Sequence, residues 1–408
     1  MKENKEYGKL GLYVHVPFCR HKCAYCDFYS TDKIRCEGGK SEEMKTYCDA
    51  LINQMRLCSD SITEYDIDSV FIGGGTPTAL PEKQLLRLVR EIKESFYETD
   101  DMEFTVEMNP ATADEKLLRK LYRAGVNRLS IGLQSADDRE LHALSRIHTR
   151  EQFEESFEMA RDAGFENINV DLMYGIPEQT PGSLEDTLAY VTALDPEHIS
   201  LYNLILEEGT PLYEARDSLK LPDEETEFRM YCDAIAALRA QGYGQYEISN
   251  FAKPGFECRH NLRYWNCEEY IGFGPAAHSY FAGKRFSVKP MIGLYTKTML
   301  KKPKELPEEL LGENVTVDRR EQIIEYIMLQ FRLTRGLDTR AFAARFHADF
   351  DEVFGKKCAL YVQHGFMTHE NGRYAFTPTG MYVSNTILSQ LLPFGSKSAV
   401  ITGKGGAQ

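Results

Sequence analysis

The sequence predicts an α/β protein: a partial (β/α) barrel of about six units followed by a smaller, mainly helical domain of winged-helix type. Three observations carry the prediction. Strand-like and helix-like segments alternate through the first two-thirds of the chain, which implies a parallel sheet with helices packed outside it. Glycine and polar residues collect where each strand stops, and those ends share the face on which parallel barrels build their sites. After a Pro- and charge-rich connector, KKPKELPEEL, the pattern changes to helices followed by a short hairpin. The expected divisions are residues 1–295, 296–395 and a flexible tail at 396–408.

The strand YVHV runs into three closely spaced cysteines, and MKTYCDALINQM then reads as an amphipathic helix. IDSVFIGGGTP is a strand ending in glycines. EKQLLRLVREIKESF places Leu85, Leu88, Val89, Ile92 and Phe96 on one helical face. The series continues with strand MEFTVEMNP, helix DEKLLRKLYRAG, strand RLSIGLQS, helix REQFEESFEMARDAG and strand NINVDLMYGIP. Helix SLEDTLAYVTAL, strand HISLYNLIL and helix ETEFRMYCDAIAALRAQG complete it. GFGPAAHSYFAGKRF reads as a Gly-rich loop. In the C-terminal part, three helical segments precede HENGRYAFTPTG, a hairpin with an Asn-Gly turn, and MYVSNTILSQLL closes as a helix.

The 408 residues suffice for two or three domains, and 42% hydrophobic with 27% charged residues is ordinary globular composition. A net charge of -14 argues against a nucleic-acid-binding surface, which needs a basic patch. No apolar run approaches a membrane span, and MKENKEYGKL lacks the apolar stretch of a signal peptide, so a cytoplasmic protein is expected. Ten cysteines in a chain of this length fit a reducing compartment. Seven of them, Cys36 among them, carry no assignable role.

Cys19, Cys23 and Cys26 stand in the spacing C-x-x-x-C-x-x-C, followed by Asp27 and Phe28. Thiolates are the ligands of iron–sulfur clusters and soft metals. Three ligands leave one iron of a four-iron cube open to an exchangeable molecule. A zinc site recruiting His15 or His21 has compatible spacing, and unrelated core thiols are the bland alternative. Gly73-Gly74-Gly75-Thr76-Pro77 exposes backbone amides to a ligand but is neither a P-loop nor G-x-G-x-x-G. Glu107, Gln134 and Asp171 lie in or beside apolar strand segments and need polar partners if buried.

Taken together and in order, YVHVPFCRHKCAYC, FIGGGTP, VEMNP, GLQS, RIHTREQ and VDLMYGIPEQT resemble the radical S-adenosylmethionine superfamily, in the branch of oxygen-independent coproporphyrinogen III oxidase and its haem-chaperone relatives. The resemblance runs from about residue 10 to about residue 392. It implies a 4Fe-4S cluster on Cys19, Cys23 and Cys26, with S-adenosylmethionine on the open iron. Tyr13 and Tyr25 fall where the family has aromatic residues beside that molecule, Gly74, Gly75 and Thr76 would line its amino-acid end, and Glu107 would accept a hydrogen bond from it. Gln134, Arg146 and Asp171 match positions that bind a second S-adenosylmethionine in the oxidase branch.

Two departures separate the branches. The oxidases have a further cysteine where this chain has Phe28, and a long segment before the first strand where this chain has about a dozen residues. A third feature agrees: His260-Asn261-Leu262-Arg263-Tyr264-Trp265 reproduces the H-N-x-x-Y-W run of the haem-chaperone branch and holds the single tryptophan. By this resemblance His260 is a candidate haem ligand, Tyr264 an alternative one, and Tyr264 with Trp265 candidate walls for a porphyrin. A hydrogen-bonded core histidine is the alternative role for His260. The implied function is haem binding and transfer to apo-haemoproteins, with a low-potential electron donor as a further partner and no role for nucleic acid or a membrane span. The alternative is an oxygen-independent coproporphyrinogen III dehydrogenase. The C-terminal domain is expected to buttress the barrel, cover the site or meet a partner.

Overall fold

The computed structural model describes residues 7–33 and 39–392; Cys36 and the expected tail at 396–408 lie outside the described residues. Six parallel strands stand side by side in chain order: β1 (Gly8–Val16), β2 (Tyr65–Gly74), β3 (Glu98–Met108), β4 (Arg128–Gln134), β5 (Ile168–Tyr174) and β6 (His198–Asn203). The strand Tyr270–Phe273 adds in parallel on the far side of β1. Antiparallel strands extend both edges, giving a twelve-stranded sheet whose ends do not pair, so the barrel is partial as predicted.

Helices cover the outer surface because their apolar residues recur on one face. In Glu82–Ser95, Leu85, Leu88, Val89 and Ile92 are buried against the sheet, each contributing about 1.5–3 kcal/mol of hydrophobic stabilisation. Capping fixes where several helices begin. Thr149 and Gln152 form a capping box within RIHTREQ, and Thr180 with Ser183 forms another after VDLMYGIPEQT. These two segments, read above as family motifs, are also helix starts that return the chain from the rim of the barrel.

The segment expected as a Gly-rich loop is instead β-structure. His278–Phe281 and Lys284–Val288 form a hairpin across Ala282 and Gly283, both at positive φ (49° and 70°). Its alternation is too short to stand out from the glycines around it. The sheet runs on to Leu311–Thr316, and the expected division at 295 falls within helix Ile292–Met299. Beyond it, helices Arg319–Gln330, Thr339–Phe346 and Lys356–Gln363 precede the hairpin Met367–Glu370 and Arg373–Phe376, turning at Asn371 (φ 54°) and Gly372 (φ 76°) as Asn-Gly predicts. Leu337–Asp338 adds a third strand, which completes a winged-helix-like module.

The short helix Arg259–Trp265 closes the barrel at the N-terminal ends of the strands. The amides of Arg259 and His260 donate to Glu103 midway along β3, and the buried Arg263 pairs with Asp68 and donates to Lys9 O at 3.4 Å. The C-terminal module holds this floor helix from outside. Gln330 Nε2 donates to Trp265 O (2.9 Å), Arg335 Nη2 to Asn266 Oδ1 (2.6 Å), and the Arg332 guanidinium lies 5.7 Å from the Trp265 ring. Of the three expected roles, these contacts are those of a buttress, at the end of the barrel opposite the cysteines. No helix among the described residues is long and apolar enough to cross a membrane.

Candidate cofactor site

Alternation along the strands puts one polar column inside the barrel on each of several strands. On β4 the inward residues are Arg128, Ser130, Gly132 and Gln134, while Leu129, Ile131 and Leu133 are fully buried on the other face. Thr105 and Glu107 on β3, Asn169 and Asp171 on β5, and His198, Ser200 and Tyr202 on β6 follow the same rule. These columns line two adjoining spaces, one at the rim and one below it.

The rim pocket is bounded by Cys19, Cys23, Cys26, Tyr25, Gly74, Gly75, Glu107, Gln134, Arg146 and Asp171, so ten of the residues singled out from the sequence converge there. Gly74 has φ +111°, and a Cβ on it would stand 2.5 Å from the His15 ring; only glycine fits. Its amide donates to Glu107 Oε2 at 3.0 Å. The Arg146 guanidinium donates to Cys23 Sγ (3.5 Å), Asn109 Oδ1 (2.7 Å) and Gly132 O (2.6 Å), tying the cysteine loop to β3 and β4. Thr76 lies beside the pocket rather than in its wall: its hydroxyl donates to Cys19 Sγ at 3.6 Å and accepts from Asn109 Nδ2 at 2.7 Å. Phe28, 66% exposed, stands at the mouth.

The electrostatics follow from enclosure. Burial and the neighbouring Asp171 push the Glu107 carboxyl up to about 8, and burial raises Asp171 against the hydrogen bonds of Asn169 and Ser130. Burial also raises the thiols of Cys19 and Cys26. The donor set fits an iron–sulfur cluster: three soft ligands from one loop, a guanidinium and a hydroxyl directed at their sulfurs, and room beside them bounded by glycine backbone and a carboxyl group. A zinc site completed by His15 is disfavoured, since both its ring nitrogens are engaged, by Tyr13 Oη (3.0 Å) and Tyr29 O (2.8 Å). Among the described residues, no three His, Cys, Asp or Glu side chains are arranged to hold a single metal ion.

The other predicted residues lie elsewhere. Tyr13 and His260 line the lower cavity, of about 200 Å³, together with Tyr264. Ser69, the partner of His260, is five residues before Gly74 on β2, about 16 Å below the rim. Both His260 nitrogens are engaged, Nδ1 with Ser69 Oγ (3.1 Å) and Nε2 with Tyr264 Oη (2.8 Å). Burial, with Arg263 and Arg128 nearby, depresses His260 to about 3 and keeps it neutral. Trp265 corrects the expected pairing of porphyrin walls: it turns outward to Arg332 while Tyr264 turns inward, because neighbouring helical residues face directions about 100° apart. Asn109, Arg128, Ser130 and Asn169 went unnoticed in the sequence. Their period-two spacing with the residues that were noticed is the signal that marks them.

Residues 13–191 match the radical SAM superfamily and residues 317–383 the HemN C-terminal domain. The chain is 37% identical to the haem chaperone HemW of Bacillus subtilis (strain 168) over 387 residues, covering 93% of this chain and 98% of that protein. It is 33% identical to HemW of Lactococcus lactis (93% and 96% covered) and 31% identical to HemW of Escherichia coli K12 (94% and 98%). The structure of the E. coli coproporphyrinogen III oxidase HemN superposes with a TM-score of 0.81 at 22% identity, over 96% of this chain and 92% of that one, a likeness of fold. With full-length identity above 30% and the cysteine loop, glycine strand end and carboxyl groups assembled in one pocket, the chain belongs to the HemW family of radical SAM proteins.

Proposed function

We propose that the chain is a haem chaperone: it binds haem and passes it to apo-haemoproteins, and it carries a 4Fe-4S cluster with exchangeable S-adenosylmethionine. The observation that carries this reading is the 37% identity to a haem chaperone along 98% of that protein's length. Cys19, Cys23 and Cys26 would hold the cluster, and Gly74, Gly75, Glu107 and Tyr25 would position S-adenosylmethionine beside it. A cluster held there would supply low-potential one-electron chemistry to a sulfonium bound beside it. Arg146 and Asn109 keep the loop in register with the barrel, and Gln134 and Asp171 supply polar groups to the far wall. Phe28, in the place of the oxidases' further cysteine, favours the chaperone over the dehydrogenase. A low-potential electron donor and a cytoplasmic setting complete the reading.

Haem is read as docking outside the lower cavity. That cavity is smaller than the ~300–1,000 Å³ of ordinary ligand pockets, and ligation by His260 requires Tyr264 to leave Nε2. The test is an anaerobic haem titration of the cluster-reconstituted protein in the Soret region, followed by mixing with an apo-haemoprotein. Saturation near one haem per chain and transfer to the acceptor are expected. No saturable binding, combined with turnover of coproporphyrinogen, replaces the chaperone with the dehydrogenase.

A further inference from the structure

The lower cavity holds a guanidinium whose donors are largely unused. Arg128 opens β4 about 20 Å before Gln134 at the rim and is 1% exposed. Among the described residues its Nε has no partner, and its one hydrogen bond is a long one, 3.4 Å from Nη1 to Thr105 Oγ1. Arg128 forms no ion pair among the described residues, although two carboxylates lie nearby. Glu103 is occupied by the amides of Arg259 and His260 and the Cys258 thiol, and Asp171 by Asn169 and Ser130. A buried guanidinium held by one long hydrogen bond and no ion pair leaves directed donors unused, and an anion in the cavity would satisfy them.

The remaining lining says which anion. Asn261, Tyr202 and Arg128 supply donors, while Phe71 and Tyr13, stacked with centroids 6.4 Å apart, supply an apolar wall. Glu107 and Asp171 are shared with the cofactor pocket, so the cavity adjoins it. Phosphate and sulfate have no use for the apolar wall. A short alkyl chain ending in a carboxylate uses both surfaces, with the planar anion matching the fork of the guanidinium.

We propose that this cavity is a carboxylate-binding site, anchored by Arg128, that takes an alkyl carboxylate of about propionate size. The carboxylate comes either from a free small acid or from a propionate arm of a tetrapyrrole docked at the rim; the second source rests on the haem reading, the first does not.

The experiment uses the cluster-reconstituted full chain as wild type, Arg128→Met and Arg128→Lys. Propionate is titrated calorimetrically, and haem and haem dimethyl ester are titrated in the Soret region. With a free acid as ligand, propionate saturates the wild type, and affinity falls tenfold or more in Arg128→Met and less in Arg128→Lys. With a tetrapyrrole arm as ligand, the wild type binds haem more tightly than its diester and Arg128→Met binds the two alike. Binding of propionate without any binding of haem keeps the site and removes only the chaperone reading. In the absence of ligand, Arg128→Met melts near the wild-type temperature, since it gives up one long hydrogen bond and no ion pair. The proposal is overturned if all three proteins treat propionate alike and haem and diester alike, or if Arg128→Met alone melts far below the wild type, which assigns the guanidinium a purely structural role.

Discussion

Glu107 offers a measurement of the rim pocket that needs no cofactor. Its carboxyl is raised from an ordinary 4.5 to about 8 by burial and by Asp171, so the folded chain keeps a proton that the unfolded chain loses near pH 4.5. The stabilisation tied to this proton is therefore complete below pH 4.5, declines as pH rises, and is gone above about 8. The window is 8 − 4.5 = 3.5 pH units, and at about 1.4 kcal/mol per unit the ceiling is ~5 kcal/mol. The residue keeps an edge on the open pocket, so about 2–4 kcal/mol is the expected part. Glu107→Gln removes the titration and keeps an acceptor for the Gly74 amide. The wild type should lose about 1.5–3 kcal/mol more than Glu107→Gln between pH 5.5 and 8.5 in urea melts of the cluster-free, reduced protein, because that range covers only the upper part of the window. Relief of Asp171 from its neighbour acts in the same direction. Parallel stability curves for the two proteins would refute the account of the pocket as a low-dielectric site holding two carboxyl groups.

Replacing Cys19, Cys23 or Cys26 singly by Ser should abolish the broad iron–sulfur absorption after anaerobic reconstitution; full iron content in any one variant removes that cysteine from the ligand set. Gly74→Ala places a Cβ 2.5 Å from the His15 ring at φ +111° and should cost about 2–4 kcal/mol in thermal melts, since the left-handed backbone alone costs about 1–2. An unchanged melting temperature would show that His15 moves freely aside. His260→Ala should leave the Soret band of added haem in place while lowering stability by about 2–4 kcal/mol, because Ser69 and Tyr264 lose a buried partner and a cavity remains. A lost Soret band at unchanged stability would instead make His260 the ligand.

The parts of the site read from the sequence are those carried by local signals. Three cysteines in eight positions, a glycine run ending an apolar strand, and carboxyl groups embedded in strands each announce themselves within a few residues, and all line or adjoin one pocket. What stayed hidden depends on which face of a strand looks inward. Arg128 reads as the flank of RLSIGLQS until the alternation from Gln134 back through Gly132 and Ser130 places it in the barrel. The misread hairpin His278–Val288 has the same origin: it pairs with Leu311–Thr316, beyond the helix Ile292–Met299, and at Tyr280 with Tyr270 just before it.

The H-N-x-x-Y-W run shows why a motif does not disclose its geometry. Sequence proximity suggests that His260, Tyr264 and Trp265 act on one ligand, but a helix of seven residues distributes them around its circumference. His260 and Tyr264 reach the lower cavity; Trp265 reaches the C-terminal module. The helix is thus shared by two bodies, and its floor position links them. From the cavity, Asp171 accepts from Asn169 Nδ2 (2.8 Å), Asn169 Oδ1 meets His198 Nδ1 (2.6 Å), and His198 Nε2 meets Tyr246 Oη (2.9 Å). The carbonyl of Tyr246 accepts from Thr334 N of the C-terminal module at 3.0 Å. Each joint in this buried chain has a fixed donor or acceptor demand, so a shift of the module that breaks the Thr334 contact leaves an unsatisfied group rather than a looser fit. Removing the module should therefore disturb the cavity floor and the Asp171 wall, although neither belongs to it.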